Sequence, residues 1–183
     1  MRLSSKLLMA GAALFFVNSD AYALSNFDYT SGGTASLVIA VSPEQNAGAE
    51  DFVERMAGDA IAFLGDESLS EDDKAQQFSK LLNRSFDMAT IGRFALGKYW
   101  RVASPEQRDE YQSLFRDMIV EVYSRRFNEY NGQKLDVRGS RAGQNDDVTV
   151  NSYIIPPNGG QEVQVDWRVR SKNGQFKVVD VVV

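Results

Sequence analysis

The chain of 183 residues contains neither cysteine nor histidine. Without them the protein can form no disulfide and no thiolate or imidazole metal site. Their absence also excludes Ser-His-Asp and Cys-His nucleophile systems, which leaves only carboxylate, lysine, tyrosine and serine side chains for catalysis. Much of enzyme chemistry is therefore excluded, and the stability of the fold must come from its hydrophobic core.

Long hydrophobic runs are also missing, and the run nearest the N-terminus is Leu7–Val17, with the sequence LLMAGAALFFV. Arg2 and Lys6 precede this run, and the motif Ala21-Tyr22-Ala23 follows it, a three-part pattern typical of a secretory signal peptide. Its 11 residues are too few to span a bilayer. We therefore predict that the chain is cleaved after Ala23 and exported.

Positive charge is in deficit, with 20 Lys and Arg against 25 Asp and Glu. Loss of residues 1–23 would leave 18 basic and 24 acidic side chains, a net charge of −6. A chain with no basic excess is a poor ligand for nucleic acid and for anionic membrane surfaces in general. Residues 24–48 are rich in Ser, Gly, Thr and Ala, which predicts a flexible N-terminal tail before a single domain over residues 49–183.

Apolar residues recur at helical spacing in four successive stretches. The first covers residues 49–64 and ends at Gly65, and the second begins at Ser70, which is placed to cap it with Asp73 three residues on. The third starts at Phe86 and carries Met88, Ile91, Phe94, Ala95 and Tyr99. The fourth and longest begins at the Ser104-Pro105-Glu106-Gln107 motif, typical of a capped helix start, and extends to about Tyr130.

After Gly132 the hydrophobic period changes from 3.6 to 2, which indicates β-strands. Apolar and polar residues alternate around residues 135–137, 148–154 and 163–170, and a valine-rich strand covers 176–183. The connections between them are short and have the composition of turns, so the strands should form an antiparallel meander. The sequence therefore predicts an α+β fold with helices packed on one face of a four-stranded antiparallel sheet.

Carboxylates are the remaining candidates for catalysis. Asp166 and Asp180 lie on strands that could be neighbours, and Asp146-Asp147 lies at a strand start, whereas a glycosidase needs two carboxylates at a defined separation in a cleft. Solvent exposure explains most of them better than catalysis does, and Asp180 among valines is explained by a structural partner, Arg168 or Arg170. We expect no catalytic residue, no bound metal and no cofactor, since neither a calcium loop nor a phosphate loop is present.

The other conspicuous signal is the number of large apolar side chains on helix faces and on one face of the sheet. They could fill a solid core, or they could enclose a hydrophobic pocket between the two layers, with a few polar groups at its mouth. Periodicity alone does not separate these two alternatives.

Three segments resemble a known family when they are taken in order. They are the run Arg93–Arg101 (RFALGKYWR), the helix start Ser104–Gln107 (SPEQ), and the pair of strands with VDWR at 165–168 and KVVDV at 177–181. Together they resemble the MlaC-type periplasmic phospholipid-binding proteins, which are auxiliary components of toluene-tolerance ABC transporters. The resemblance covers residues 78–183.

The resemblance implies a soluble periplasmic carrier that holds a phospholipid by its acyl tails between helices and sheet. Such carriers pass lipid between an outer-membrane lipoprotein complex and an inner-membrane ABC transporter with a substrate-binding membrane subunit, which maintains the lipid asymmetry of the outer membrane. It implies no enzymatic activity. Family members usually continue into C-terminal helical sequence that helps to close the pocket, and we expect this segment to be absent from a chain that stops at Val183.

The motif residues of the family block and the apolar periodicity of the helices and strands together predict the lipid-binding residues. They are Phe94, Leu96, Tyr99, Trp100, Phe115, Ile119, Tyr123, Val150, Ile154, Val165, Trp167 and Val169. Arg93 and Arg101 could meet a phosphate, although a solvated or structural role explains each of them too.

Three other functions are compatible with the sequence. The first is a carrier of another hydrophobic lipid, such as a hopanoid. The second is a non-catalytic interaction domain of an envelope complex, which would have a filled core. The third is a hydrolase that uses Asp166 or Asp180.

Overall fold

The computed structural model describes residues 43–143, 145 and 147–183. The predicted signal peptide, the predicted tail up to residue 42 and Asp146 lie outside the described residues. The described elements, in chain order, are α1 (Pro43–Leu64), α2 (Glu71–Ser85), α3 (Met88–Leu96), a 3-10 turn (Gly97–Arg101), α4 (Pro105–Ser124), a second 3-10 turn (Phe127–Glu129), β1 (Lys134–Ala142), β2 (Asp147–Ile155), β3 (Val163–Lys172) and β4 (Gln175–Val182).

Helix α1 begins earlier than the sequence composition predicts. It starts at Pro43 rather than Ala49, so residues 43–48, which were assigned to the flexible tail, are helical. Proline is favoured in the first turn of a helix because its φ angle is already helical and its missing N–H is not needed there. Glu44 in the same turn interacts favourably with the positive end of the helix dipole.

The predicted starts of α2 and α4 are confirmed atom by atom. Ser70 Oγ accepts a hydrogen bond from the backbone N–H of Asp73 at 3.1 Å. At the start of α4, Ser104 Oγ accepts from the N–H of Gln107 at 3.2 Å, and Gln107 Oε1 accepts from the N–H of Ser104 at 2.9 Å. This reciprocal pair is a complete capping box, and it satisfies donors that have no partner within the helix.

Helix α4 is shorter than predicted, because it ends at Ser124 and not near Tyr130. The chain then tightens into the 3-10 turn Phe127–Glu129. In that turn the Phe127 ring is buried, with its centroid 5.5 Å from that of Phe78 and 6.2 Å from that of Phe63. The tighter turn therefore brings Phe127 into contact with α1 and α2.

The four strands form one antiparallel sheet in the order β1-β2-β3-β4, as predicted. The register of β1 shifts between Val137 and Gly139, and Gly139 has φ +118°, a conformation that favours glycine. A second shift lies opposite Arg168 and Val169, where Val179 is the additional residue of β4. Beyond β4 the chain entering α3 lies alongside the sheet, and the backbone N–H of Asp87 donates to the carbonyl of Val178 at 2.9 Å.

The helices cover one face of the sheet in successive layers. Helix α1 lies across β1, β2 and β3, and α2 packs against α1, α4 and β4. Helix α4 packs against α2 and α3. An apolar stripe such as that of α4 is most often explained by packing on a sheet, whereas in the structure α4 packs on other helices. One hydrophobic cluster joins the inner face of the sheet to all four helices.

Candidate functional site

The inner face of the sheet carries five of the predicted lipid-binding residues. Each of them is at most 1% exposed, and they are Val150, Ile154, Val165, Trp167 and Val169. They meet because the register pairs β2 with β3 so that Val150 lies opposite Trp167. Alternation along each strand sends every second side chain to this face, so Val150 and Ile154, predicted from periodicity, lie on the same face as Val165, Trp167 and Val169, predicted from the family motif.

A polar pair lies within this apolar face. The indole Nε1–H of Trp167 donates to Ser152 Oγ at 2.8 Å, and the Ser152 hydroxyl donates to the carbonyl of Val165 at 3.0 Å. Ser152 is completely buried. Since a buried indole N–H needs an acceptor, Ser152 fixes the orientation of the largest side chain of the inner face.

Helix α4 contributes the three predicted residues Phe115, Ile119 and Tyr123. Phe115 and Tyr123 are buried in the same cluster as the sheet residues, and Ile119 packs against that cluster. The ring of Tyr123 lies 5.9 Å from that of Phe78, and Tyr111 stacks on Phe115 at 5.7 Å, both measured between centroids. The structure therefore brings eight of the twelve predicted residues, five from the sheet and three from α4, into one continuous apolar region.

The other four predicted residues lie apart from this region, at the turn between α3 and α4. Phe94 is 69% exposed and Tyr99 is 51% exposed, while Leu96 and Trp100 are half-buried and lie outside the core cluster. Trp100 is attached to α4, because Arg108 Nε donates to its carbonyl at 2.9 Å and the guanidinium lies 5.3 Å from the indole centroid. Lipid contact by any of the twelve stays a prediction.

A small open pocket of about 90 Å³ lies between α2, α3 and α4. Leu82, Met88 and Val120 line it together with Asn83, Arg116 and Asp117. Sites for drug-sized ligands usually have volumes of about 300–1,000 Å³, so this pocket is too small for a phospholipid. It also lies between helices, whereas the predicted pocket would lie between helices and sheet, and that pocket stays a prediction.

Asp166 on the outer face of the sheet does not have the properties of a catalytic acid. Burial alone would raise its pKa, but hydrogen bonds from Gln164, Asn151 and Arg141 outweigh that effect and hold the pKa below its ordinary value of 3.8. Asn151 Nδ2 donates at 2.7 Å, and Arg141 Nη2 lies 3.1 Å from the carboxylate. A general acid in a glycosidase needs the opposite shift, so the structure speaks against a hydrolase based on Asp166.

The other carboxylates of the outer face have structural partners. Asp180 lies 3.8 Å from Arg168 Nη1, which confirms one of the two partners predicted for it. Asp147 is 1% exposed and accepts two hydrogen bonds from Arg170, at 2.7 and 2.9 Å. These bonds raise the pKa of the Arg170 guanidinium. Asp147 is therefore a buried ion-pair partner, a role that its position at a predicted strand start did not reveal.

The described residues contain neither a metal-binding cluster nor a membrane-spanning helix. No group of three acidic side chains there is arranged to hold a metal ion. Within the same residues no helix is long and apolar enough to cross a membrane.

Fold and site together define an α+β domain in which a helical layer encloses a continuous apolar region against one face of an antiparallel meander. The sequence model of the family described as MlaC protein matches residues 54–183, well over half of the chain. The chain therefore belongs to the MlaC family.

Two curated relatives and one solved structure support this assignment. The intermembrane phospholipid transport system binding protein MlaC of Haemophilus influenzae is 30% identical over 94 residues, which are 50% of this chain and 44% of the relative. Toluene tolerance protein ttg2D of Pseudomonas putida is 29% identical over 86 residues, 47% of this chain and 40% of that protein. The matched region thus spans less than half the length of these relatives.

The similar solved structure is a phospholipid-binding protein from Ralstonia solanacearum in complex with a phospholipid. Its TM-score is 0.59 at 27% sequence identity, and the match covers 73% of this chain and 76% of the other. The α+β fold predicted from the sequence is therefore confirmed.

Proposed function

We propose that this protein is a periplasmic phospholipid carrier that moves lipid between membranes and catalyses no reaction. The observation that carries the proposal is the structural match to a phospholipid-bound protein across 73% of the chain, together with membership of the MlaC family. The Haemophilus influenzae relative is the binding protein of an intermembrane phospholipid transport system, which supports the same role and a periplasmic location.

The apolar region between α1 and the sheet is where the acyl tails would bind. Transfer of each methylene from water contributes about 0.8 kcal/mol, so two tails supply a large driving force. The headgroup would stay near the surface, where water solvates its charge. Because the inner-face side chains are buried against the helices, entry of the tails requires α1 to move away from the sheet.

The partners in this proposal are a transporter at each membrane. They would be an inner-membrane ABC transporter with a substrate-binding membrane subunit, and an outer-membrane lipoprotein complex, so that the carrier maintains outer-membrane lipid asymmetry. Support comes from the names of the two relatives, one a transport system binding protein and the other a toluene tolerance protein.

The direct test is lipid extraction. The protein should be expressed with its own N-terminus in a Gram-negative host, purified from the periplasm without detergent, extracted with organic solvent and examined by mass spectrometry. We expect phospholipid in stoichiometric amount, and none from an unrelated exported protein purified in parallel. Lipid-free protein that also fails to take up added phospholipid would contradict the proposal, and recovery of a hopanoid would replace the proposed ligand.

A second candidate is an interaction domain of an envelope complex that binds no lipid. The observation that favours it is the dense burial of the inner face, where Val150, Val165 and Trp167 have no exposed surface. This function predicts capture of protein partners that is unchanged when lipid is removed from the sample.

A further inference from the structure

The exposed large hydrophobic side chains are concentrated in one part of the described chain. Apart from Val182 and Val183 at the end of the chain, they all lie between residues 94 and 122. Three of them belong to residues 93–102, which we call the α3–α4 turn. They are Phe94 at 69% exposure, Tyr99 at 51% and Val102 at 81%. Because contiguous exposed apolar surface marks interaction sites, three such side chains within nine residues make this turn a candidate contact surface.

The same turn is locally basic although the chain as a whole is acidic. Its sequence, RFALGKYWRV, contains Arg93, Lys98 and Arg101 and no acidic residue, whereas the whole chain has a net charge of −5. None of these three cations forms a salt bridge within the described part of the chain. Lys98 Nζ instead lies 5.2 Å from the ring centroid of Tyr99, so charge and aromatic surface are presented together.

The backbone holds the turn in a defined shape. Helix α3 ends at Leu96 and is capped by Gly97, whose φ of +60° and ψ of −129° are strained for any residue with a side chain, and nothing lies within 4 Å of a Cβ added there. The 3-10 turn that follows is fixed to α4 by Arg108 through the carbonyl and the ring of Trp100. A preformed turn loses little conformational entropy when it binds.

We propose that the α3–α4 turn is the surface with which this protein contacts an anionic phospholipid bilayer. Phe94, Tyr99 and Val102 enter the boundary between headgroups and acyl chains, and the three cations interact with anionic headgroups. Aromatic side chains favour this interfacial depth, and each basic residue near an anionic surface contributes about 1 kcal/mol. The anionic bilayer repels the rest of the molecule, which is acidic, so the protein approaches the bilayer with this turn first.

The biological meaning of the contact rests on the proposed carrier function, since a carrier that exchanges lipid with membrane complexes works close to the bilayers that hold them. The binding itself depends only on the charge and exposure of the turn. It can therefore be measured on protein from which lipid has been removed.

Vesicle flotation and tryptophan emission test the proposal. Trp100 lies in the turn and Trp167 is fully buried, so a blue shift on binding reports on Trp100. We expect binding to vesicles of equal parts phosphatidylglycerol and phosphatidylcholine at low salt, weaker binding as salt rises, and none to phosphatidylcholine alone. The double variant Lys98→Gln/Arg101→Gln should lower the affinity roughly 30-fold, from about 1 kcal/mol for each charge.

Matched control variants distinguish the contribution of the turn to vesicle binding from the effects of net charge and of exposed apolar side chains elsewhere. Lys134→Gln/Lys172→Gln changes the net charge equally at exposed positions of the sheet and should leave the affinity within about twofold, because it leaves the turn intact. Val102→Ser should weaken binding, whereas Val182→Ser, the same replacement at a side chain 59% exposed, should not.

Absence of binding to the anionic vesicles, or equal losses in the turn variants and their controls, would overturn the proposal. Loss of binding to a protein complex in the turn variants without any vesicle binding would also overturn it, in favour of a protein partner. Lipid content of the purified single variant Lys98→Gln should be unchanged, because Lys98 is not among the predicted lipid-binding residues. If the protein binds vesicles but never carries lipid, the proposed carrier function is refuted and the proposed membrane contact is supported.

Discussion

Ser152 shows at the scale of one residue what periodicity cannot predict. The alternation along β2 placed position 152 on the inner face, and a serine there is the polar member of the row Val148, Val150, Ser152 and Ile154. Its role comes from its cross-strand neighbours, since it accepts from Trp167 and donates to the Val165 carbonyl. Both partners lie on β3, so only the strand register reveals the hydrogen bonds.

Replacement of Ser152 by alanine should lower the free energy of unfolding by about 1–3 kcal/mol, because the indole N–H of Trp167 loses its acceptor in a fully buried site. Urea denaturation measures this loss, and the emission of Trp167 should change with it. Ser171→Ala removes the same atom from a half-buried position on β3 and should stay within about 0.5 kcal/mol of wild type. Equal losses in the two variants would show that the hydrogen bond contributes nothing.

Asp166 gives a prediction for acid pH. Its pKa is lower in the folded protein than its ordinary 3.8, so its charge stabilises the fold above that value, and this contribution is lost as the pH falls through the ordinary value towards the folded pKa. Asp166→Asn should therefore destabilise the protein at neutral pH, and the difference from wild type should shrink below about pH 5. Titration of the carboxyl by NMR checks the cause, and a value above 3.8 would refute it and reopen the hydrolase hypothesis.

At the scale of elements, the helix starts were predictable because their signals are local. Ser104-Pro105-Glu106-Gln107 predicted the start of α4 correctly, down to both hydrogen bonds of the capping box. The same four residue types occur at Ser42-Pro43-Glu44-Gln45. That repeat was the available signal for the true start of α1 at Pro43, and the surrounding Ser- and Ala-rich composition concealed it.

Helix α4 has apolar residues around more of its circumference than a single buried face needs, and only the packing decides which of them support the fold. Phe115 is 6% exposed in the core, whereas its neighbour Leu114 is 60% exposed. Phe115→Ala should cost roughly 3–5 kcal/mol of unfolding free energy, and Leu114→Ala about 0.5 kcal/mol or less. Chemical denaturation of the two variants side by side checks the packing of α4, and a large loss for Leu114→Ala would contradict it.

For the whole molecule, the sequence predicted the fold class and the strand order because alternation, short turns and helix caps are all recorded in neighbouring residues. It did not predict that α4 packs on α2 and α3, since an apolar stripe does not identify the surface that it meets. For the candidate site too, the sequence predicted the features that depend on neighbouring residues and not those that depend on packing between elements. Strand alternation located Val165 and Trp167 on the inner face, while Phe94 and Tyr99 share their apolar character and yet lie on the surface.

Cross-linking tests the proposed entry of lipid between α1 and the sheet. Ser140 of β1 donates to Glu50 of α1 at 2.5 Å, and the chain has no natural cysteine to interfere. Glu50→Cys/Ser140→Cys, bridged by a short thiol-reactive linker, should hold α1 against β1 and reduce phospholipid uptake to background. Uptake should return when the same variant is left unbridged.

A bridge between two helices is the control for that experiment. Arg84 of α2 forms an ion pair with Asp59 of α1, so Asp59→Cys/Arg84→Cys joins α1 to α2 and leaves the sheet free. This bridge should permit uptake. Inhibition by both bridges, or by neither, would contradict entry between α1 and the sheet.

The backbone hydrogen bond between Asp87 and Val178 affects how the protein behaves at high concentration, where sheets of different molecules can meet. An open sheet has two outer strands whose unpaired N–H and C=O groups can recruit a strand from another molecule. Along β4 the segment at Phe86 and Asp87 already occupies part of that row. Along β1 the shift at Gly139 and the charges of Lys134, Arg138 and Arg141 make a poor template. Both margins of the sheet therefore disfavour strand addition and aggregation at high protein concentration.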